Sequence, residues 1–289
     1  MMNITYFNDG NKFKQKITPI LEGDYPTLAR NALLFSITEG ITAGKYLKAA
    51  PLMMAVNKKE KIDLVSVMTP PGRPLVISNS SKESIDFLID DLKSKKVHLD
   101  GVLGPVEETD YFSSKWGSLT NSDIKLIMNE GVYLLEKVIF PVGVKGNLKL
   151  AMKEDLEIVS QLYMKFIEEV LPNDPSDVND VKESVKRGIG NKYYYLWIVE
   201  DIPVALVGGG GFADKFAKIA PVYTVLEHRK NGYGSAAVAE LSKQFLCDGN
   251  PFCCLFTDLS NNNSNSVYQS IGYKRVGTLK QNKFIKREY

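Results

Sequence analysis

Apolar positions along this chain fall into helical and strand-like spacings, and the two alternate in the same order twice. Residues 13–44 carry a helical spacing that Pro19 and Pro26 are placed to break. Short apolar runs at 52–56, 64–68 and 75–78 have the length of buried strands, and Pro70-Pro71-Gly72 predicts a turn between the second and third. Residues 81–96 put Ile85, Leu88, Ile89 and Leu92 on one helix face, with Ser80 or Ser81 as the cap and Glu83 in the first turn. A short buried strand at 101–104, a helix at 105–116 and a strand-like run at 126–140 complete the first half.

A seam at 143–147 precedes the second series. Residues 153–171 read as a helix with Leu156, Val159, Leu162, Tyr163 and Phe166 on one face, stopped by Pro172 and Pro175. A short helix at 177–187 follows, then strands at 193–199 and 204–207 joined by a turn at Asp201-Ile202-Pro203. Gly208 to Gly211 read as a turn between strands, because clustered glycines most often punctuate. A strand at 218–225, a tight loop at 229–234, a helix at 235–246, a strand at 251–259 and a helix at 261–270 come next. Residues 273–276 lead into a last strand at 283–287. The shared order (helices, three strands, helix, strand, helix) points to an α/β (α+β) chain of two domains, 1–145 and 148–289, descended from a duplication.

Composition narrows the chemistry. The 289 residues carry 36 Lys and Arg against 34 Asp and Glu, a net charge of +2, which argues against a nucleic-acid or polybasic membrane binder. Imidazole comes from His98 and His228 alone, so a His-rich metal site is excluded and no metal is expected. Cys247, Cys253 and Cys254 have neither an even count nor a C-x-x-C spacing, which fits reduced thiols. The polar start and the lack of a run of about 20 apolar residues set the expectation of a cytoplasmic protein.

The strongest chemical signal is Arg229-Lys230-Asn231-Gly232-Tyr233-Gly234-Ser235, which follows a strand and opens a helix. Gly232 and Gly234 let the backbone turn and approach a ligand closely. The first amides of a helix have no internal partner, and with the helix dipole they suit a phosphate or diphosphate. Arg229 and Lys230 add positive charge beside them. Taken alone, such a loop is also a plain helix-capping turn. A second pattern follows in order: Asn261, six residues, Tyr268, three residues, then Gly272-Tyr273.

Together the two patterns resemble the GCN5-related N-acetyltransferase (GNAT) family over residues 148–289. Arg229, Gly232 and Gly234 match its Gln/Arg-x-x-Gly-x-Gly/Ala motif. Val267-Tyr268 and Gly272-Tyr273 approximate its Leu-Tyr-x-x-x-Gly-Phe helix end. The resemblance implies two tandem GNAT-like domains, each a mixed, mostly antiparallel sheet flanked by helices, the first degenerate. It also implies an acetyl-coenzyme A (acetyl-CoA) site. The main chain of Val222, Tyr223 and Thr224 would bind pantetheine in a gap between strands. Arg229, Lys230, Asn231, Gly232, Tyr233, Gly234 and Ser235 would hold the diphosphate. Asn261 would lie near the pantetheine arm. Tyr268 would face the leaving sulfur and act as the catalytic acid. Pro70-Pro71-Gly72-Arg73 is expected in the place of the first domain's phosphate loop. It lacks the Gly-x-Gly spacing, and its prolines remove amide donors, so that domain is expected to bind no coenzyme.

The implied reaction is acetyl transfer to a primary amine, from a small molecule or a peptide, by direct attack in a ternary complex. Alternatives on the same fold are a non-catalytic acyl-CoA-binding module and a transferase of another acyl group. Glu227, Asp258 and Glu200 are candidates for a general base, but a structural reading outweighs that role in each and none is assigned as a catalytic residue. Glu168, Glu169 and Asp174 are acidic residues able to attract a cationic amine or to solvate a helix end. The first domain is left with two roles, a wall of the acceptor pocket or the surface of a homodimer. Cys253 and Cys254 alternate on a strand, which buries at least one of them.

Overall fold

Short β-branched and apolar runs become the strands of two compact units, and each unit wraps its sheet with helices drawn from the intervening amphipathic segments. The computed structural model describes residues 1–46, 49–70, 72–170, 178–212 and 215–287. Unit 1 comprises Met1–Val132, Asp258–Ser260 and Val276–Tyr289; unit 2 comprises Tyr133–Thr257 and Asn261–Arg275. The last strand therefore returns to unit 1, whereas a linear reading keeps 148–289 together.

In unit 1, β1 (Met2–Phe7), β2 (Leu52–Lys58), β3 (Lys61–Met68) and β4 (Leu75–Ile77) pair antiparallel in that order. β4 then pairs parallel with β5 (Gly101–Pro105), as the intervening helix α3 (Lys82–Ser94) requires of a crossover. The final strand, β12 (Lys274–Lys286), lies antiparallel to β5 from Leu279 opposite Pro105 to Lys283 opposite Gly101. Its Phe284 enters the unit 1 core with Leu64, Leu75, Val102, Leu88 and Trp116.

Helices α1 (Gly10–Leu21) and α2 (Tyr25–Thr42) differ from expectation in one respect. Pro19 sits inside α1, and the break falls at 22–24. Asp24 caps α2 by accepting the Thr27 N–H at 2.9 Å, and Pro26 occupies the first turn, where its missing N–H costs nothing. Pro26 therefore starts a helix. Helix α4 (Val106–Thr120) follows β5, and β6 (Ser122–Leu135) closes the first series.

Unit 2 repeats the plan. β7 (Asn147–Leu150) is followed by helices α5 (Leu156–Val170) and α6 (Val178–Gly190). Three antiparallel strands follow: β8 (Tyr194–Val199), β9 (Ile202–Phe212) and β10 (Phe216–Thr224). Helix α7 (Tyr233–Cys247) crosses to β11 (Cys253–Asp258), parallel to β10, and α8 (Asn262–Ser270) follows. The order strand, two helices, three strands, helix, strand, helix, strand thus occurs twice.

The glycine run is a correction. Gly208 to Gly211 lie within β9, paired with β10, and form no turn. Between Ile219 and Val222 the ladder slips: Ala220 and Pro221 oppose Gly208, a β-bulge. A Cβ at Gly208 would stand 2.6 Å from the Ala220 carbonyl oxygen and 3.0 Å from the Tyr193 ring. At Gly209 it would stand 2.8 Å from the Phe245 ring. The glycines make room for a bulge and two aromatic rings. Pro71, Pro172, Asp174 and Pro175 lie outside the described residues. Among the described residues, no helix is long and apolar enough to cross a membrane.

Candidate functional site

The site begins where two parallel strands of unit 2 part. β10 and β11 pair at Ala217–Cys253 and Lys218–Cys254, and the pairing stops there, although β10 continues to Thr224. The bulge at Ala220-Pro221 falls at the same level, and Pro221 carries no N–H to extend the ladder. On its other edge β10 stays paired with β9, and the Val225 N–H donates to the Val204 carbonyl at 3.0 Å. An antiparallel ladder alternates the direction of successive residues. Tyr223 therefore directs its main-chain groups to β9, while Val222 and Thr224 direct theirs to the gap. Of the three strand residues expected to offer backbone groups, Val222 and Thr224 face away from β9 by register and Tyr223 faces it; the Thr224 carbonyl accepts the Arg229 Nε–H at 3.0 Å.

Past Thr224 the chain makes a 3-10 turn at Leu226–His228 and enters α7 through a left-handed stretch. Lys230 has φ +67° and Gly232, the helix N-cap, has φ +79°. Glycine at the cap brings no side-chain oxygen, so the opening amides of α7 are left uncapped by it. Ala236 is the residue whose N–H returns to the Gly232 carbonyl, at 2.9 Å, which leaves Tyr233, Gly234 and Ser235 as the outward amides. The Ser235 hydroxyl donates back to the Gly232 carbonyl at 2.8 Å. Asn231 folds over the turn, its Nδ2 donating to the carbonyls of His228 (3.1 Å) and Arg229 (3.3 Å).

Both glycines are held by close neighbours. A Cβ on Gly234 would lie 2.7 Å from Thr224 Oγ1, and one on Gly232 would lie 2.9 Å from Val144 Cγ2. The loop, the end of β10 and residue 144 therefore pack without room for a side chain. This cradle of bare backbone at a helix start fits a diphosphate.

Arg229 differs from the sequence reading. Its Nε donates to the Thr224 carbonyl at 3.0 Å, its Nη2 donates to Glu169 of α5 at 2.5 Å, and its guanidinium lies over the Tyr223 ring at 5.5 Å. Arg229 therefore braces the loop and shares its charge with Glu169, whereas Lys230, the other cation of the motif, is exposed.

The second pattern builds α8. Asn261 is its N-cap: Oδ1 accepts the Ser264 N–H at 3.0 Å. Gly272 follows the helix at φ +108°, and a Cβ there would meet the Lys137 carbonyl at 2.6 Å. Tyr273 is buried and its hydroxyl pairs with Ser242 Oγ at 2.8 Å. Tyr268 lies on the buried face of α8, 8% exposed, edge-on to Tyr273 with centroids 6.2 Å apart. Its hydroxyl bonds to no group among the described residues and is not sealed from solvent. Burial pushes its pKa up to about 12, so the phenol is protonated across the neutral range.

The candidate bases have structural duties or none. Asp258 accepts the Ser260 N–H at 2.8 Å, a turn contact. Glu200 and Asp201 adopt φ +48° and +64° in the β8–β9 hairpin turn. Glu227 is exposed in the 3-10 turn. Cys253 and Cys254 are both buried, and burial pushes each thiol up to about 12, which makes them poor nucleophiles. Among the described residues no cluster of three or more His, Cys, Asp and Glu suits a metal. Sequence reasoning missed Glu169 as the partner of Arg229 and missed Val144 as the wall on Gly232. Neither carries a local signal, because both contacts join distant segments.

Comparison with known proteins agrees with this geometry. Residues 196–284 match the family described as FR47-like protein. No curated protein sequence matches the chain. A GNAT-family acetyltransferase from Colwellia psychrerythraea superposes with TM-score 0.58 at 10% identity, covering 99% of this chain and 100% of that one. A GCN5-related N-acetyltransferase from Sphaerobacter thermophilus gives 0.63 at 10% identity, covering 100% and 97%. A tandem GNAT protein from the clavulanic acid biosynthesis pathway gives 0.61 at 9% identity, covering both chains completely. At such identities the likeness is one of fold. The chain is thus a protein of the GCN5-related N-acetyltransferase fold, tandem in plan, with an FR47-like segment at residues 196–284.

Proposed function

We propose that the chain is an N-acetyltransferase that moves an acetyl group from acetyl-CoA to a primary amine by direct attack in a ternary complex. The observation that carries this reading is the parting of β10 and β11 beside an uncapped, glycine-cradled helix start. The thioester supplies an activated acyl group. The main-chain groups of Val222 hold the pantetheine arm in the manner of an added strand. The amides of Tyr233, Gly234 and Ser235 hold the diphosphate, with Lys230 supplying charge and Asn231 and Arg229 fixing the turn. The Asn261 amide nitrogen completes the contacts to the arm. The Thr224 N–H stabilises charge developing on the acyl oxygen.

Tyr268 holds its proton at the hydroxyl until a sulfur departs, then donates it. A buried phenol at about 12 keeps that proton through the neutral range; a thiolate is the weaker base, so the transfer is completed as the proton lost by the attacking amine returns to the Tyr268 oxygen, which leaves amide, free thiol and neutral tyrosine. Direct transfer fits the buried, weakly acidic Cys253 and Cys254, which are unsuited to carrying an acyl group. The test is release of coenzyme thiol across a panel of primary amines. Release that depends on the amine, lowered about 10²- to 10⁴-fold in Tyr268→Phe, supports the reading. Tight acetyl-CoA binding with no amine-dependent release, and no effect of Tyr268→Phe, identifies a binding module instead.

A further inference from the structure

The duplicated plan gives unit 1 a counterpart for every part of the site in unit 2, and the counterparts are closed. By element order, the equivalent of the β10–α7 loop is the β4–α3 connection, residues 78–81. Pro70, Gly72 and Arg73 lie between β3 and β4 instead, which corrects the sequence reading. Ser81 is the N-cap of α3, in the place of Gly232.

The amides of Ser78, Ser80 and Ser81, which lead into α3, are already taken. The Ser78 N–H donates to the Val65 carbonyl at 2.9 Å. The Ser80 N–H donates to Glu108 Oε1 at 3.3 Å, and Asn79 Nδ2 donates to the same oxygen at 3.1 Å. The Ser81 N–H and hydroxyl both donate to Asp63 Oδ2, at 3.0 and 2.5 Å. Burial alone would raise the Asp63 pKa, but the Ser81 and Ser84 hydroxyls and the Ser81 amide outweigh it and hold the carboxyl below its ordinary range. Glu83 adds a third carboxylate in the first turn, with Lys58 Nζ 3.3 Å away. An incoming phosphate meets negative charge here.

The strand gap is closed as well. β4 ends at Ile77, one residue past its last pairing with β5 (Val76 with Leu103), so it has no unpaired continuation like that of β10. A Cβ on Gly104 would lie 2.7 Å from the Ile77 carbonyl oxygen. The cavity under α2, lined by Arg30, Leu34, Ile77, Gly104 and Leu279 among others, amounts to about 10 Å³, room for one water.

From these contacts we infer that unit 1 is a coenzyme fold plugged from within, its strand gap shut at Ile77 and Gly104 and the loop ahead of α3 held by the carboxylates of Asp63 and Glu108, so that the chain binds one acyl-CoA, in unit 2. The count of one rests on the proposed function; the plug does not. Inorganic pyrophosphate titrated into the ¹⁵N-labelled full chain is expected to shift the amides of residues 233–235 and to leave those of Ser80 and Ser81 in place. Movement of Ser80 and Ser81 overturns the plug. Silence at both sets leaves the plug standing and counts against the site in unit 2. Acetyl-CoA is expected to saturate at one per chain, and two per chain overturns the inference. In a folded Asp63→Ala chain, hydrogen exchange at the Ser81 amide is expected to rise at least about tenfold, and in Glu108→Ala the same holds for Ser80. Unchanged rates overturn the role of the carboxylates.

Discussion

Arg229 and Thr224 are joined through the Arg229 Nε and the Thr224 carbonyl oxygen, 3.0 Å apart, so the first residue of the glycine loop is tied to the last residue of the strand before it. The tie sets where the loop turns back, and Gly234 packs against the same threonine. Glu169 adds an ion pair from α5, but both partners are partly solvated, at 35% and 46% exposure. The carbonyl bond and the cover over Tyr223 should therefore outweigh the ion pair. Glu169→Gln is expected to cost less than about 1 kcal/mol in urea unfolding, and Arg229→Ala about 1–3 kcal/mol. Equal costs contradict this ranking.

Tyr268 is buried, and among the described residues its hydroxyl supports no other group. Removing that oxygen should leave the fold as stable as before, within about 0.5 kcal/mol. Tyr273→Phe is the control, because it strips a buried bond from Ser242 and should cost about 1–3 kcal/mol. Chemical denaturation of both variants measures the difference. A large loss in Tyr268→Phe means that its hydroxyl has a structural partner.

Stability should fall on the alkaline side. Burial raises the phenols of Tyr193, Tyr194, Tyr268 and Tyr273, and lifts the thiols of Cys253 and Cys254 to about 12. A raised pKa means that the folded state holds the proton more tightly than the unfolded chain does. The stabilisation is therefore complete below the unfolded values, 9.0 for the thiols and 10.0 for the phenols, and is lost as pH rises toward the folded ones. Each titrating group adds a slope on the order of 1.4 kcal/mol per pH unit. Urea midpoints should hold between pH 7 and 8.5 and drop by pH 10.5. A flat profile contradicts the burial.

The thiols should divide by exposure. Cys247 ends α7 at the surface, whereas Cys253 and Cys254 are buried on β11. A thiol-exchange reagent is expected to label one cysteine in the folded chain and three after denaturation. Rapid native labelling of three means that β11 is open.

Where a local pattern decided the structure, the sequence was readable. The loop from Arg229 to Ser235 and the helix after it follow from glycine and capping chemistry, and Gly272 stops α8 for the same reason. Ile85, Leu88 and Leu92 face the core because helical spacing leaves them no other side. Long-range packing was not readable. Gly208 to Gly211 look like a turn until the bulge at Ala220-Pro221 and the Tyr193 and Phe245 rings are placed on them. The three-residue β4 pushed the expected phosphate loop of unit 1 into the turn before it. The return of residues 276–289 to unit 1 depends on pairing with β5, which no periodicity records. Glu169 lies sixty positions from Arg229 and shows its role in three dimensions alone.

Isothermal titration of acetyl-CoA into the intact chain and into Gly234→Val, with circular dichroism confirming the fold of both, addresses the cradle most directly. A side chain at 234 would press on Thr224 Oγ1, 2.7 Å from its Cβ, and spoil the close backbone approach. Saturable heat from the parent chain, with affinity lost at least about tenfold in a folded Gly234→Val, is the expected result. Equal affinity in the two chains, or no heat from the parent, places any acyl-CoA site elsewhere.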